Sequence, residues 1–141
     1  MYKSGNLMSR INRLTNRKIN ELLKESNITE FNNAQGTIMY ALCNNQEMSI
    51  REISEKTCLA MSTLTTMLER MKTKGLVEMY PNPKDARSTL VRLSEDARQY
   101  AESFDSIASD MFSKCFKGFT KKEISTFEGM LERILNNLEE K

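Results

Sequence analysis

Residues 53–75 read ISEKTCLAMSTLTTMLERMKTKG, a short helical segment, a break and a longer helical segment in direct succession. The first segment belongs to a helix predicted over residues 50–57, and residues 58–61 break it. The second helix is predicted over Ser62–Lys74. Gly75 ends it, because glycine adopts the left-handed conformation found after many helices without strain. The run therefore predicts two short helices joined by a tight turn.

The second helix has two chemically different faces. Its apolar face consists of Leu64, Met67, Leu68 and Met71. The opposite face carries Ser62, Thr65, Thr66 and Thr73, flanked by Thr63, Glu69 and Arg70. Threonine is a mediocre helix former, so helix stability does not explain why several threonines share this exposed face. Short hydroxyl side chains let a helix approach the base edges of DNA, where they donate or accept hydrogen bonds and a threonine methyl touches a thymine methyl. The alternative is an ordinary surface helix with a threonine-rich face; we favour the base-reading interpretation.

A β-hairpin is predicted directly after this helix. Its strands cover residues 76–80 and 88–93, the second of which alternates between apolar and polar side chains. Residues 81–85 form the turn, because they contain two prolines, which cannot sit in a central strand. A short helix, a turn, a second helix and a hairpin in this order make a winged helix-turn-helix with a two-stranded β-wing. The fold class is mostly α, with a small β component.

The tip of the hairpin carries Lys84, Asp85 and Arg87. An arginine there can enter the minor groove of DNA, where narrow A·T-rich segments concentrate negative potential. Asp85 can fix the Arg87 guanidinium through a bidentate pair. The alternative is a solvated turn with an incidental ion pair.

Helical periodicity also dominates the N-terminal part of the chain. An apolar stripe over residues 7–23 predicts a first helix, and a second is predicted over Glu30–Leu42 with Thr29 as its N-cap. The apolar face of the second helix is predicted to contain Phe31, Ala34, Ile38 and Leu42. The basic residues of the first helix could face DNA phosphates. They could equally lie at the rim of a dimer interface and pair with Glu128 and Glu132, which is the interpretation we favour.

The C-terminal third predicts two longer helices. Apolar residues recur at helical spacing over Ala97–Phe116, after the N-cap Ser94, and Gly118 ends this helix. Thr120 then caps the last helix, with Glu123 completing a capping box. The apolar face of the last helix consists of Ile124, Phe127, Leu131, Ile134, Leu135 and Leu138. Wide apolar stripes at both ends of a small protein indicate packing against each other or against a second copy.

The composition argues against an enzyme and against a metal-binding protein. The chain has 141 residues, the size of one domain, with 39% hydrophobic residues and a net charge of +2. It contains no histidine, which excludes most zinc sites and every histidine-dependent catalytic triad. Because a Gly-rich phosphate loop and a paired-carboxylate motif are missing too, we predict that the protein is not an enzyme and uses no metal and no cofactor.

Cysteine usage and hydropathy predict a cytoplasmic protein. Cys43, Cys58 and Cys115 are odd in number and lack a CxxC spacing, which makes a poor disulfide framework. The N-terminus does not resemble a signal peptide, and no apolar stretch approaches the roughly 18 residues of a membrane span. We therefore expect reduced thiols and no membrane contact.

Four segments resemble the MarR family of bacterial transcription regulators. They are the helix-turn-helix at residues 53–68, Lys74-Gly75-Leu76-Val77, the wing tip Pro83-Lys84-Asp85-Ala86-Arg87, and Val91-Arg92-Leu93-Ser94. Chain length and helix order match as well, so the resemblance covers the whole chain. It implies one MarR-like domain over residues 1–141, with dimerisation helices at 1–28 and 95–141 and the winged helix-turn-helix module at 30–93.

The resemblance also implies a function. MarR-like regulators bind a palindromic DNA operator as homodimers, here expected to act as a repressor, and many release it when a small aromatic or anionic effector fills the cleft beside the winged module. The residues that this implies for the major groove are Ser62, Thr63, Thr65, Thr66 and Arg70. Arg87 would enter the minor groove with Asp85 orienting it, next to Lys84. Cys58 stands where the family commonly has a turn glycine, and Met79 where it often has arginine.

Two alternatives stay open. A winged-helix protein-interaction module without DNA binding should have lost the wing cation or the polar recognition face, and neither loss is seen. A thiol-based redox-sensing regulator would need an exposed cysteine in electropositive surroundings. Cys58 lies in the helix-turn-helix turn near Lys56, whereas Cys43 and Cys115 lie on apolar helical faces, where buried thiols are commoner.

Overall fold

The computed structural model describes residues 2–140, so Met1 and Lys141, the ends of the predicted domain, lie outside the described residues. The helices are α1 Ser4–Glu25, α2 Asn33–Cys43, α3 Ile50–Thr57, α4 Met61–Thr73, α5 Ala97–Cys115 and α6 Lys121–Glu139. The strands are β1 Met48–Ser49, β2 Val77–Asn82 and β3 Asp85–Leu93. The chain divides into two compact units between Ser109 and Asp110. The first unit holds α1–α4, the sheet and most of α5, and the second holds the end of α5 and α6.

The core of the first unit is formed where the end of α1 meets α2, α3, α4 and β3. Its fully buried large side chains are Leu23, Ile38, Met39, Leu42, Ile53, Leu64, Leu68, Met71 and Val91. Gly36 brings α2 close to α5, because a Cβ atom added at this position would lie 2.5 Å from the Phe104 ring. Phe104 in turn packs edge-on against Phe31, with ring centroids 6.0 Å apart. Dense packing of this kind fixes the position of the helix-turn-helix.

Helix α2 begins later than the sequence predicts. The N-cap of α2 is Asn32, whose side chain accepts a hydrogen bond from the Gln35 backbone N–H at 2.9 Å. Gln35 Oε1 accepts one from the Asn32 N–H in return, at 3.1 Å. This reciprocal capping box satisfies two free backbone donors, so it prevails over a single cap at Thr29. The predicted apolar face is right for Ile38 and Leu42, which are buried, and wrong for Ala34, which is exposed. Phe31 is buried as expected but lies before the helix begins.

The helix-turn-helix follows the prediction closely. Ser49 caps α3 in a capping box with Glu52. Ser54 has a different role, since its hydroxyl donates to the Leu59 carbonyl at 2.6 Å and closes the turn. α4 begins at Met61, one residue before the predicted start, without a side-chain cap.

The wing contains a third strand that the sequence analysis missed. The sheet order is β1-β3-β2, and Met48 of β1 pairs with Val91 of β3. A strand of two residues is too short to show alternation. β2 and β3 are also longer than predicted: Pro81 lies inside β2 instead of in the turn. Proline is tolerated there because β2 is an edge strand of the sheet.

Helices α1 and α6 expose much of their apolar surface, and both C-terminal helices have the predicted caps. Ser94 Oγ accepts a hydrogen bond from the Ala97 N–H at 3.2 Å, as predicted, and the capping box of Thr120 and Glu123 is present. The Thr120 backbone N–H holds the pKa of the Glu123 carboxyl below its usual value. The exposed large apolar side chains of α6 are Phe127, Met130, Leu131, Ile134, Leu135 and Leu138. α1 likewise exposes Leu7, Met8, Ile11 and Leu14.

The turn residue Cys58 offers a first test of the fold. Cys58 has φ 60° in the left-handed region, where the resemblance led us to expect glycine. Because a side chain is strained there, Cys58→Gly should raise the free energy of unfolding by about 0.5–1 kcal/mol in chemical denaturation. Asn27→Gly is the matched control: Asn27 also has φ 60°, but asparagine tolerates this conformation, so its gain should be smaller. Equal gains at both positions would contradict the argument.

Candidate nucleic-acid interface

The two faces of α4 divide as predicted. Leu64, Leu68 and Met71 are buried and Met67 is half-buried. The exposed residues include Ser62, Thr63, Thr65, Thr66, Glu69, Arg70 and Thr73. We call these seven residues the recognition face. A helix anchored on one side and polar on the other has the form needed to lie in a DNA major groove.

The threonine hydroxyls of the recognition face donate back into the helix. Thr65 Oγ1 donates to the Met61 carbonyl at 2.8 Å, and Thr66 Oγ1 donates to the Ser62 carbonyl at 3.1 Å. Thr73 Oγ1 donates to the Glu69 carbonyl at 3.0 Å. In this arrangement each of these threonines presents two groups to a bound DNA: a hydroxyl oxygen that can accept a hydrogen bond, and the side-chain methyl group. From the sequence alone, these hydroxyls could either donate or accept.

The wing tip is held by Asp85 in a way that differs from the prediction. Asp85 Oδ1 accepts a hydrogen bond from the Arg87 backbone N–H at 3.0 Å. The same oxygen lies 3.5 Å from Arg87 Nε, so the pair involves one carboxylate oxygen and is not bidentate. The Arg87 side chain is 94% exposed. Lys84 is exposed as well, and its backbone N–H donates to Asn82 Oδ1 at 2.9 Å. The tip thus has an ordered backbone and an arginine that is free to reach outward.

The strands below the tip are braced by a cluster that the sequence analysis missed. Arg92 and Glu78 are cross-strand partners, with Arg92 Nε 2.6 Å from Glu78 Oε2. The Arg92 guanidinium also lies 5.3 Å from the centre of the Tyr80 ring. The Tyr80 hydroxyl donates to Glu47, and this bond raises the pKa of Tyr80 above its usual value. Glu47 is 33 positions away from Tyr80 in the chain, so no local pattern could have revealed the contact.

A cleft of about 570 Å³ opens between α1, the start of α2 and the end of α4. Apolar side chains of Leu23, Ile28 and Phe31 line it, together with Asn20, Lys24, Thr29, Asn32, Gln35, Arg70, Thr73 and Lys74. Arg70 thus belongs both to the recognition face and to the cleft. Lys74 Nζ donates to the Glu30 carbonyl at 3.3 Å, which ties the end of α4 to the segment before α2. An apolar lining with three cations and no carboxylate suits a small anion with an apolar body.

The cysteines are all free thiols, and their exposure differs from the expectation in one case. Cys43 is half-buried, but Cys115 is exposed although it was predicted on an apolar face. The reason is that this end of α5 is exposed, as its neighbour Phe112 shows with 46% of its surface accessible. Cys58 is exposed in the turn before α4.

Residues 2–140 also bear on metal binding and on membrane insertion. No group of three His, Cys, Asp or Glu side chains in this part of the chain could hold a metal ion. None of the helices described there is long and apolar enough to cross a membrane.

Comparison with known proteins places this geometry in a family. The family model described as "MarR family" matches residues 31–89. The repressor IacR of Pseudomonas putida is 37% identical over 102 residues, which are 72% of this chain and 61% of IacR. The multiple antibiotic resistance protein MarR of Salmonella typhimurium is 30% identical over 140 residues, covering 93% of this chain and 90% of that protein.

Solved structures with a similar fold include regulators bound to DNA. A MarR mutant from Escherichia coli in complex with operator DNA superposes with a TM-score of 0.82 at 27% identity, covering 93% of this chain and 92% of that one. The Staphylococcus aureus MepR–DNA complex superposes with a TM-score of 0.85 at 19% identity, covering 97% and 99%, and supports the fold alone.

Proposed function

This chain belongs to the MarR family of DNA-binding transcription regulators, and from that premise we propose that it represses transcription by binding a palindromic double-stranded operator as a homodimer. The observation that carries the proposal is the recognition face, exposed and polar on a helix whose other face is anchored in the core. The presence of operator DNA in the structure of the E. coli relative supports the same kind of partner. We further propose that the protein acts in the cytoplasm, where its thiols stay reduced.

The roles proposed for the individual residues follow from their placement. Ser62, Thr63, Thr65, Thr66 and Arg70 would contact base edges in the major groove, all of them exposed on α4. Arg87 would enter the adjacent minor groove, Asp85 would hold the backbone of the tip, and Lys84 would face phosphate. The wing and α4 belong to the same compact unit, so one module carries both contacts.

The dimer would be built from the remaining parts of the chain. We propose that residues 1–28 and 95–141 form the dimerisation helices and that residues 30–93 form the DNA-binding module. The exposed apolar faces of α1 and α6 support this division, because monomeric proteins rarely leave contiguous apolar surface open to water. The basic residues of α1 would lie at the rim of the dimer, where they would pair with Glu128 and Glu132 of the last helix.

An effector would act through the cleft beside α4. Its apolar lining and its cations Lys24, Arg70 and Lys74 favour a small aromatic carboxylate. Such a ligand would occupy Arg70 and the end of α4, so it would compete with DNA for the same residues. We therefore propose that an effector of this class releases the operator.

The test is a selection of duplexes from a random library, followed by affinity titrations of the enriched sequence at several salt concentrations. We expect a palindrome with half-sites about one helical turn apart. If each dimer neutralises about six phosphates, affinity should fall about a thousandfold between ~50 and ~200 mM salt. Benzoate added to the same titration should weaken binding, and Lys24→Ala should reduce this effect.

The two alternatives predict different outcomes in the same experiment. A protein-interaction module would enrich no duplex, or would bind DNA without dependence on salt. A redox-sensing regulator would lose operator affinity on mild oxidation, and Cys58→Ser would prevent the loss, because Cys58 is the exposed thiol closest in sequence to α4.

A further inference from the structure

We infer that Tyr80 is a positioning residue for DNA binding: its hydrogen bond to Glu47 fixes the direction in which the wing carries Arg87 toward the minor groove. The inference rests on the proposed function and deepens it. It names a residue that acts on DNA only through Arg87 and yet determines how strongly the flanks of the operator are bound.

The wing has three strands at its base and two beyond it. The last row of three paired residues consists of Ser49 in β1, Leu90 in β3 and Tyr80 in β2. Past this row, the pairing of β2 with β3 shifts between Pro81 and Asn82, and an irregularity of this kind bends and twists a strand. A two-stranded ribbon also twists more than a wider sheet. The direction of the tip is therefore decided at this row.

Tyr80 connects the row to the helix-turn-helix. Its hydroxyl donates to the Glu47 carboxylate, so the bond passes over the middle strand β3. Glu47 directly precedes β1, and the second residue of β1, Ser49, caps α3. A hydrogen bond to an ionised acceptor is roughly twice as strong as one between neutral groups. Side chains thus join the wing to α3 in addition to the backbone pairing.

The Tyr80 ring is held by a contact of its own. The Arg92 guanidinium lies 5.3 Å from the ring centre, and Arg92 Nε is itself fixed 2.6 Å from Glu78 Oε2. The ring is therefore held at its face and the hydroxyl at its end. Because the two contacts are separate, the hydroxyl can be removed while the ring and its cation contact stay in place.

The distance from the row to the tip makes the direction of the wing important. Arg87 lies three residues before Leu90 on β3, roughly 10 Å away at about 3.3 Å per residue. A change in direction of about 10°, small against the natural range of strand twist, would move the Arg87 backbone by roughly 2 Å. The minor groove is only about 6 Å wide. Since the arginine side chain can follow part of such a movement, we expect a partial loss of binding when the bond is removed.

Tyr80→Phe tests the inference, because it removes the hydroxyl and keeps the ring. On the selected operator with A·T-rich flanks, we expect affinity to fall about threefold to tenfold, the range for the loss of one hydrogen bond. On G·C-rich flanks, where Arg87 contributes less, the loss should be smaller. Glu47→Ala should reproduce both results. Glu47→Gln, which keeps an acceptor for the hydroxyl, should retain most of the affinity on A·T-rich flanks.

A double-mutant cycle with Arg87→Ala distinguishes positioning from general support of the fold. Without the guanidinium there is nothing for Tyr80 to position, so Tyr80→Phe should cause no further loss of affinity in the Arg87→Ala background. In the Thr66→Ala background its effect should persist in full, because Thr66 belongs to the recognition face and not to the wing. Tyr100→Phe is the matched control: the Tyr100 hydroxyl also donates to a carboxylate, that of Glu30, but outside the wing. Its response to flanking composition should equal that of the parent.

Three results would overturn the inference while leaving the proposed function in place. They are a Tyr80→Phe protein that binds A·T-flanked operators as tightly as the parent, a loss of equal size on both kinds of flank, and full additivity with Arg87→Ala. If Arg87→Ala itself binds normally, the wing contact fails and takes this inference with it. If the library yields no enriched duplex at all, the proposed function fails as well.

Discussion

Leu131→Glu should dissociate the dimer and abolish operator binding at the same protein concentration. Leu131 lies in the middle of the exposed apolar face of α6, with Phe127 and Ile134 one turn away on either side. If this face is buried in the dimer, the substitution places an unpaired charge in an apolar interface, which costs about 3–5 kcal/mol. Sedimentation at micromolar concentration should show the parent as a dimer and the variant as an unfolded monomeric chain.

The extent of exposed apolar surface is the reason to expect a large effect. In α5, Ala97, Ala101 and Phe104 are buried but Phe112 is exposed, and none of the described residues of α6 is buried. A second copy that covers these faces would create the apolar shared core typical of obligate dimers. We therefore expect no stable folded monomer.

Asn136→Glu provides the matched control for the α6 variant. Asn136 is exposed on the polar side of α6, so it adds the same charge to the same helix outside the apolar face. The control should remain dimeric and bind the operator as the parent does. A well-folded monomeric parent, or a Leu131→Glu protein that still sediments as a dimer, would contradict the proposed interface.

Features carried by a single element could be predicted from the sequence. The two faces of α4 follow from helical spacing, and the capping box of Thr120 and Glu123 follows from two residues three positions apart. In such cases the local sequence contains both partners of the interaction. The left-handed Gly75 after α4 belongs to the same class, since its φ of 76° reflects a local preference of glycine.

Features that depend on distant partners could not be predicted. β1 exists only because Met48 pairs with Val91, 43 positions later, and two residues carry no periodicity of their own. The brace between Glu47 and Tyr80 is equally non-local. The start of α2 was missed for another reason: Thr29 and Asn32 are both good caps, and the return bond from the Gln35 side chain decides between them.

Arg87→Ala should weaken operator binding by about 1–3 kcal/mol, the scale of one good specific contact. The side chain is almost fully exposed, and its removal leaves the helical core untouched, so the dimer should unfold at the same denaturant concentration as the parent. Affinity titrations with the selected operator measure the loss. It should be largest on operators with A·T-rich flanks, because a narrow minor groove attracts the guanidinium most strongly.

Two further variants distinguish the contact made by Arg87 from two other contributions: the positioning of Arg87 by Asp85, and base recognition by α4. Asp85→Ala should cost less than Arg87→Ala, because Asp85 holds the Arg87 backbone N–H and touches the guanidinium through one oxygen only. Thr66→Ala, on the recognition face, should change the preferred base without changing the response to flanking composition. If Arg87→Ala binds every operator as tightly as the parent, the minor-groove role is rejected. The wing would then be a structural hairpin, held together by the contacts among Glu47, Tyr80 and Arg92, and α4 alone would read the DNA.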